Sequence, residues 1–426
     1  MARRSARSMG VCATVLALTW IFGTRSSADE RDAGVKDAGA KGAAADAGRP
    51  SSARSSSLAP IDLRGILPLG RREGGSWVAH DASGRRIELT LSPNLQERTR
   101  RLFQDYQVPY AALVAIEPAT GRILAYVSHS SAHPNTEDLA RDVTPPAASV
   151  FKLITSSALI DAGVTPDTRV CYSGGSSRLT AVHLQDNPRR EHTCATLDDA
   201  LGKSLNAVFA KLADKHLNAA TLLRYANSFG FGQALPFEFA PPPSPIEIPG
   251  ERLEFARTAA GFWHAFMSPL HAALIAATFA NDGSMPRPRL VERVILPDGK
   301  LAPALSTGPA PRAVLSPKTA QAVSKMMLRT VKDGTSRTAF MDGRGRAQLP
   351  GIAVAGKTGS LSASDPYRAY SWWVGFAPAE APRIALGVLI VNGPVWRIKS
   401  SFVAREILRE YLLGKPGEPA QVARKR

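Results

Sequence analysis

Apolar positions are unevenly spread along the chain, and the gaps between them are as informative as the runs. From Arg25 to about Pro60 the residues are mostly Ala, Gly, Ser, Asp and Arg, with hardly a large apolar side chain. Such a stretch cannot bury enough surface to fold, so residues 29–60 are predicted to be a disordered linker. Patterning starts near Ile61. Trp77-Val78-Ala79 and Ile87 to Leu91 predict a short β-rich segment over 61–92, and an amphipathic helix follows from about Pro93 to Gln107. Ala111 to Ile116 and Ile123 to Val127 flank the turn Pro118-Ala119-Thr120-Gly121, which predicts a β-hairpin.

The middle of the chain reads as helical. Val150 to Ala162 lies between Pro145-Pro146 and Gly163, residues suited to the two ends of a helix. Leu197 to His216 and Pro269 to Asn281 are predicted as two more helices, with a loop at Pro241-Pro242-Pro243. The last third returns to strands, at Ile352 to Ala355, Tyr370 to Phe376 and Arg383 to Val391, before a closing helix from Ser401 to Leu413. Strand-rich ends bracketing a helical insertion imply an α+β fold, with an antiparallel sheet built from both chain ends. The main domain is expected over 93–414, with 415–426 as a basic tail.

Composition sharpens this picture in three places. Apolar residues make up 44% of the 426, enough for a real core. The formal net charge of +17 would suit a nucleic-acid binder, but Arg3, Arg4, Arg7, Arg424, Lys425 and Arg426 put part of it at the termini. The remainder is scattered, with no basic helix carrying interleaved aromatics, so no nucleic-acid partner is expected. For an exported chain this balance favours anionic surfaces such as lipid headgroups. Export is what the first residues imply: a basic start, an uncharged run from Met9 to Gly23, then Ser26-Ser27-Ala28. Residues 1–28 are thus a signal peptide or a membrane anchor, the run being short against the roughly 20 residues of a span. Beyond it only Cys171 and Cys194 occur, either as a disulfide, worth about 3 kcal/mol in the chain-entropy model, or as two separate buried thiols.

Three short motifs carry candidate chemistry. Ser149-Val150-Phe151-Lys152 would open a helix, placing Ser149 and Lys152 on one face near the positive end of the helix dipole. A serine hydroxyl needs a neighbour to take its proton, and a lysine can do so only when desolvation or nearby positive charge keeps it neutral. Ser204-Leu205-Asn206, expected on the next helix, offers a hydroxyl for proton relay and an amide to hold Lys152 and substrate. Lys357-Thr358-Gly359-Ser360, expected at a strand end, joins a cation to two hydroxyls, which suits a carboxylate, and Lys357 would help keep Lys152 neutral. Each motif alone also has a bland reading, as a helix start, a helix interior and a turn.

Together, in this order, the motifs resemble the Ser-x-x-Lys, Ser-x-Asn and Lys-Thr-Gly signature of penicillin-binding proteins and serine β-lactamases. The resemblance extends to Phe229-Gly230-Phe231-Gly232, Pro269-Leu270-His271 through Asn281-Asp282-Gly283, Gly334-Thr335 and Trp372 through Pro378. It implies a β-lactamase/transpeptidase-like fold and a cell-wall D,D-transpeptidase acting in the periplasm. Ser149 would attack the penultimate D-Ala carbonyl of a peptidoglycan stem peptide, with Lys152 as base and Ser204 relaying the proton. Asn206, Lys357, Thr358, Gly359 and Ser360 would form the substrate site, and the N–H groups of Ser149 and Ser360 the oxyanion hole. No cofactor or metal is implied. Partners would be stem peptides, β-lactam antibiotics, the membrane through the N-terminus, and other cell-wall synthesis proteins.

Alternatives within the same resemblance are a D,D-carboxypeptidase, a class D-like β-lactamase (disfavoured by Asn206, where that class usually has valine), and a non-catalytic β-lactam sensor or scaffold. Only about thirty patterned residues precede Pro93, so the expectation is a transpeptidase domain on a tether. His264 and His271 are expected to be packing residues. Of Trp372 and Trp373, one is expected in the core and the other along the cleft.

Overall fold

The computed structural model describes residues 61–133, 138–237, 239–303 and 310–414. The expected signal or anchor, the linker and the basic tail lie outside these residues. Among the described residues no helix is long and apolar enough to cross a membrane.

After a helical turn over residues 63–69 come three short strands, β1 (Arg71–Glu73), β2 (Ser76–His80) and β3 (Arg86–Leu89). Helix α1 (Pro93–Asp105) follows, started by Ser92 and a proline whose missing N–H costs nothing in the first turn. It buries Leu95, Leu102 and Phe103 against the hairpin of β4 (Tyr110–Ile116) and β5 (Ile123–Ser130). Gln96 fastens this packing by bonding both backbone groups of Tyr126, donating to its carbonyl at 2.7 Å and accepting from its N–H at 2.9 Å.

The middle is helical, as expected, but divided differently. A 3₁₀ turn over Ala148–Phe151 leads into α2 (Lys152–Asp161). Strands β6 (Arg169–Tyr172) and β7 (Thr193–Thr196) pair, joined by the Cys171–Cys194 disulfide. The single helix expected from Leu197 to His216 is instead two: α3 (Leu197–Lys203) and α4 (Asn206–His216). Ser204 breaks it in a left-handed conformation (φ 59°). Both halves bury Leu and Ala against the same core, so the apolar rhythm runs across a break that it does not record. Helices α5 (Ala219–Ser228), α6 (Arg252–Ala259), α7 (Pro269–Ala280) and, after β8 (Val291–Ile295), α8 (Pro317–Lys332) complete this layer.

The C-terminal third supplies β9 (Ala355–Ser364), β10 (Tyr367–Ala377), β11 (Ile384–Asn392) and α9 (Ser400–Leu413). The strand expected at 352–355 starts only at Ala355, after a turn at Gly351, and runs on through Ser364. Lys357–Ser360 therefore lies inside a strand. Its polar residues hid it, because an edge strand with one wet face alternates Ser360, Ser362 and Ser364 with Leu361 and Ala363. The main sheet is antiparallel throughout, in the order β9-β10-β11-β4-β5. Central β11 is buried along its whole length, between α1 and α9 on one face and α7 on the other. Helix α7 is apolar all round and approaches so closely that a Cβ at Gly387 would lie 2.4 Å from the Pro269 carbonyl oxygen. On the outer face the fully buried Glu406 of α9 is held by Arg98 at 2.8 Å and Arg405 at 2.7 Å. The small sheet is β1-β2-β3-β8, so residues 61–92 are joined to a strand from the middle of the chain.

Candidate active site

Edge strand β9 runs beside the turn that carries Ser149. A side chain at Gly359 would meet Val150 at 3.1 Å and the Ala147 carbonyl oxygen at 3.3 Å, so glycine is what lets strand and turn touch. The turn is fixed from the other side by residues 260–267. Ala147 N–H donates to the Ala265 carbonyl at 2.8 Å, and Met267 N–H to that of Pro145 at 3.0 Å. The indole of Trp372 donates to the Pro146 carbonyl at 2.8 Å. Ala148 is held at φ 50°, a region costly for any residue with a Cβ, immediately before Ser149.

Lys152 is fully buried. Its Nζ lies 2.9 Å from Ser149 Oγ and 2.6 Å from Asn206 Oδ1, and it also bonds the Ala260 carbonyl. Burial, and next the charge of Lys357, hold its amine well below the ordinary lysine range. A neutral amine has two hydrogens and one lone pair. The Ala260 carbonyl and Asn206 Oδ1 can only accept, so they take the hydrogens and leave the lone pair facing the Ser149 hydroxyl. That is the geometry of a base.

The break at Ser204 has a consequence here. Its left-handed backbone brings Ser204 Oγ within 2.9 Å of Lys357 Nζ, while Asn206 in the next turn reaches Lys152. Asn206 Nδ2 donates to the Ser176 carbonyl. Lys357 is also buried, bonds the Thr358 carbonyl at 2.8 Å, and is pushed down to about 7 by that burial. Thr358 Oγ1 lies 2.6 Å from Thr335 Oγ1, and Ser360 is exposed further along the strand. Direct contacts thus form two groups, Ser149–Lys152–Asn206 and Ser204–Lys357–Thr358, joined through the Ser204–Asn206 segment and close enough for Lys357 to lower Lys152.

Four participants carry little or no chemical signal in the sequence. The carbonyls of Ala260 and Ser176 have no residue signature, since every residue has one. Thr335 stood out only as part of the family resemblance. Gly261, at φ 79°, packs against the Ser149 turn, where a Cβ would sit 2.4 Å from the Ala148 carbonyl oxygen. An isolated glycine after a helix was its only signal. Gly261→Ala is expected to destabilise the protein by about 2 kcal/mol or more and to slow acylation, because strain and clash coincide; thermal melting and penicillin labelling check both.

The tryptophans depart from expectation: both are fully buried and neither lines the cleft. Trp372 supports the Ser149 turn and Trp373 stacks on Phe340 at 5.8 Å, because β10 is covered on both faces. His271 is a packing residue, lowered to about 4 by burial; it donates to the Phe229 carbonyl and accepts from Ser244. Among the described residues no group of three or more His, Cys, Asp or Glu could hold a metal ion.

Residues 111–413 match the family model for the penicillin binding protein transpeptidase domain. The chain belongs to this family. Among curated relatives, the peptidoglycan D,D-transpeptidase PbpA of Mycobacterium tuberculosis is 29% identical over 367 residues, covering 76% of this chain and 71% of that one. Among solved structures, the D,D-transpeptidase domain of a peptidoglycan glycosyltransferase from Eggerthella lenta superposes with a TM-score of 0.64 at 26% identity, over 81% of this chain and 89% of that one. The imipenem acyl-enzyme complex of M. tuberculosis penicillin-binding protein A does so with a TM-score of 0.63 at 25% identity, over 77% and 80%. The α+β reading and the family resemblance drawn from the sequence agree with these matches.

Proposed function

We infer that this protein is a peptidoglycan D,D-transpeptidase of the cell envelope, working through an acyl-enzyme on Ser149. The observation that carries the reading is a buried amine, Lys152 Nζ, 2.9 Å from a serine hydroxyl and near enough to a second buried lysine, Lys357, to be lowered further by its charge. As Ser149 Oγ attacks the penultimate D-Ala carbonyl, its proton passes to the Lys152 lone pair. Negative charge develops on the carbonyl oxygen, where the N–H groups of Ser149 and Ser360 would meet it. Collapse breaks the C–N bond, the proton held by Lys152 is relayed through Ser204 to the departing D-Ala amine, and an ester remains on Ser149 with Lys152 neutral again. An amine from a second stem peptide then attacks the ester, giving its proton to Lys152, which returns one to Ser149 Oγ as the C–O bond breaks and the cross-link forms.

Lys357, Thr358 and Ser360 suit the terminal carboxylate, with Thr335 steadying Thr358. Strand β9 is an edge with an open backbone, to which an extended stem peptide can add as a further strand. A β-lactam would acylate Ser149 in the same way. Residues 1–28 would export the chain, as signal or anchor. The direct test supplies a D-Ala-D-Ala-ended donor and an amine acceptor. Release of D-Ala with cross-linked product supports the reading; trimmed donor alone would make the protein a carboxypeptidase.

The two lysines also set a pH profile. Lys152 acts as a neutral base, so acylation rises with pH as it loses its proton. Lys357 acts as a cation, so in the free protein its contribution is present below about 7 and lost above. The second-order acylation rate is expected to be bell-shaped, and Lys357→Arg, which stays charged, should remove the basic limb. A basic limb that persists in that variant would assign it to another group.

A further inference from the structure

Between β6 and β7 the chain makes an excursion over residues 173–192, in the stretch that separates the first motif from the second. This loop meets the site where the Ser176 carbonyl accepts from Asn206 Nδ2. The contact matters because an asparagine amide is nearly symmetric in shape but opposite in polarity at its two ends. With Nδ2 committed to a carbonyl, Oδ1 must face Lys152. Turned round, the amide would offer an N–H to the Lys152 lone pair and compete with the Ser149 hydroxyl for it.

The loop is tied down at several points. Its base is the Cys171–Cys194 disulfide. Buried Lys211 of α4 donates to the Cys171 carbonyl at 3.1 Å and pairs with Asp186 at 2.7 Å and with Glu191. Arg257 of α6 donates to the Leu179 carbonyl at 2.6 Å. Beside Ser176, Gly175 sits at φ 71°, where a Cβ would come 2.9 Å from that of Ala207 in the first turn of α4. The loop therefore lies directly on the helix start that presents Asn206.

We propose that residues 173–192 form a positioning element for acylation: the Ser176 carbonyl sets the amide of Asn206, and the disulfide and Lys211 hold that carbonyl in place. None of these groups touches the reacting atoms. They act through Asn206 on the direction of the Lys152 lone pair. The inference rests on Ser149 and Lys152 being the acylating pair.

The test measures the acylation rate constant and the initial binding constant separately with a fluorescent penicillin. Gly175→Ala and the double variant Cys171→Ser/Cys194→Ser are each made alone and with Asn206→Ala. The rate constant is expected to fall about 10- to 100-fold with binding little changed, as for a small misplacement of a catalytic group. In the Asn206→Ala background the same changes should cost nothing further, since the group they position is gone. An unchanged rate, or losses that multiply with Asn206→Ala, overturns the proposal. If the variants do not fold, phosphine reduction of the wild-type disulfide gives the same readout, and an undiminished rate after reduction counts against it equally. Ser149→Ala is the separating control: undiminished labelling there defeats the functional reading itself, whereas its loss beside a normal Gly175→Ala defeats only this inference.

Discussion

A Ser149→Ala variant is expected to lose covalent labelling by a fluorescent penicillin completely, while keeping its fold. The acyl group needs an oxygen to bond to, and the hydroxyl aligned with the Lys152 lone pair is that of Ser149. Ser204 cannot substitute for it, because its hydroxyl contacts Lys357, the lysine assigned to remain a cation. Stability should change by only about 1 kcal/mol, since one small hydrogen-bonding group is removed from a partly exposed position. Gel fluorescence after denaturation and a thermal melt read the two effects. Labelling that survives at the wild-type level would move the nucleophile elsewhere.

Lys152→Met should lower acylation by about 10²- to 10⁴-fold, the range over which a positioned base contributes. Its effect on stability is the more diagnostic half. Lys152 is neutral when buried in the fold, yet in the unfolded chain it takes its ordinary value of 10.5. Unfolding below that pH therefore takes up a proton, and wild-type stability rises with pH as the demand disappears. Methionine fills a similar volume and takes up none. Melting temperatures should favour the variant most at low pH, with the gap narrowing as pH climbs towards 10.5. A gap independent of pH would mean that the folded protein holds Lys152 as a cation, and the proposed base would be lost with it.

Much of this architecture could be read from the chain because burial leaves a periodic mark. The β4–β5 hairpin, α7 and α9 appeared near their observed bounds, since each presents a continuous apolar run or stripe to one core. Helix α8 was not anticipated, although amphipathic, and β9 was misplaced because its wet face is serine-rich. The side chains of the three motifs were legible as chemistry. The atoms that aim them were not: Ala260 and Ser176 act through carbonyls, and Ser204 through a backbone angle. Periodicity reports which face meets the core, and is silent on where a helix stops and restarts without changing face.

Because β11 slots between β10 and β4, the hairpin made early in synthesis has no neighbour on one side until nearly four hundred residues have been produced. Long-range pairings of this kind form slowly and leave hydrophobic strands open to wrong partners in the meantime. Both lysines are made within that wait, at residues 152 and 357, so a chain still being synthesised lacks a working centre until late in it. Chaperone contact during synthesis should accordingly be concentrated on residues 110–130, and chains cut short before residue 384 should aggregate there instead of reacting with penicillin.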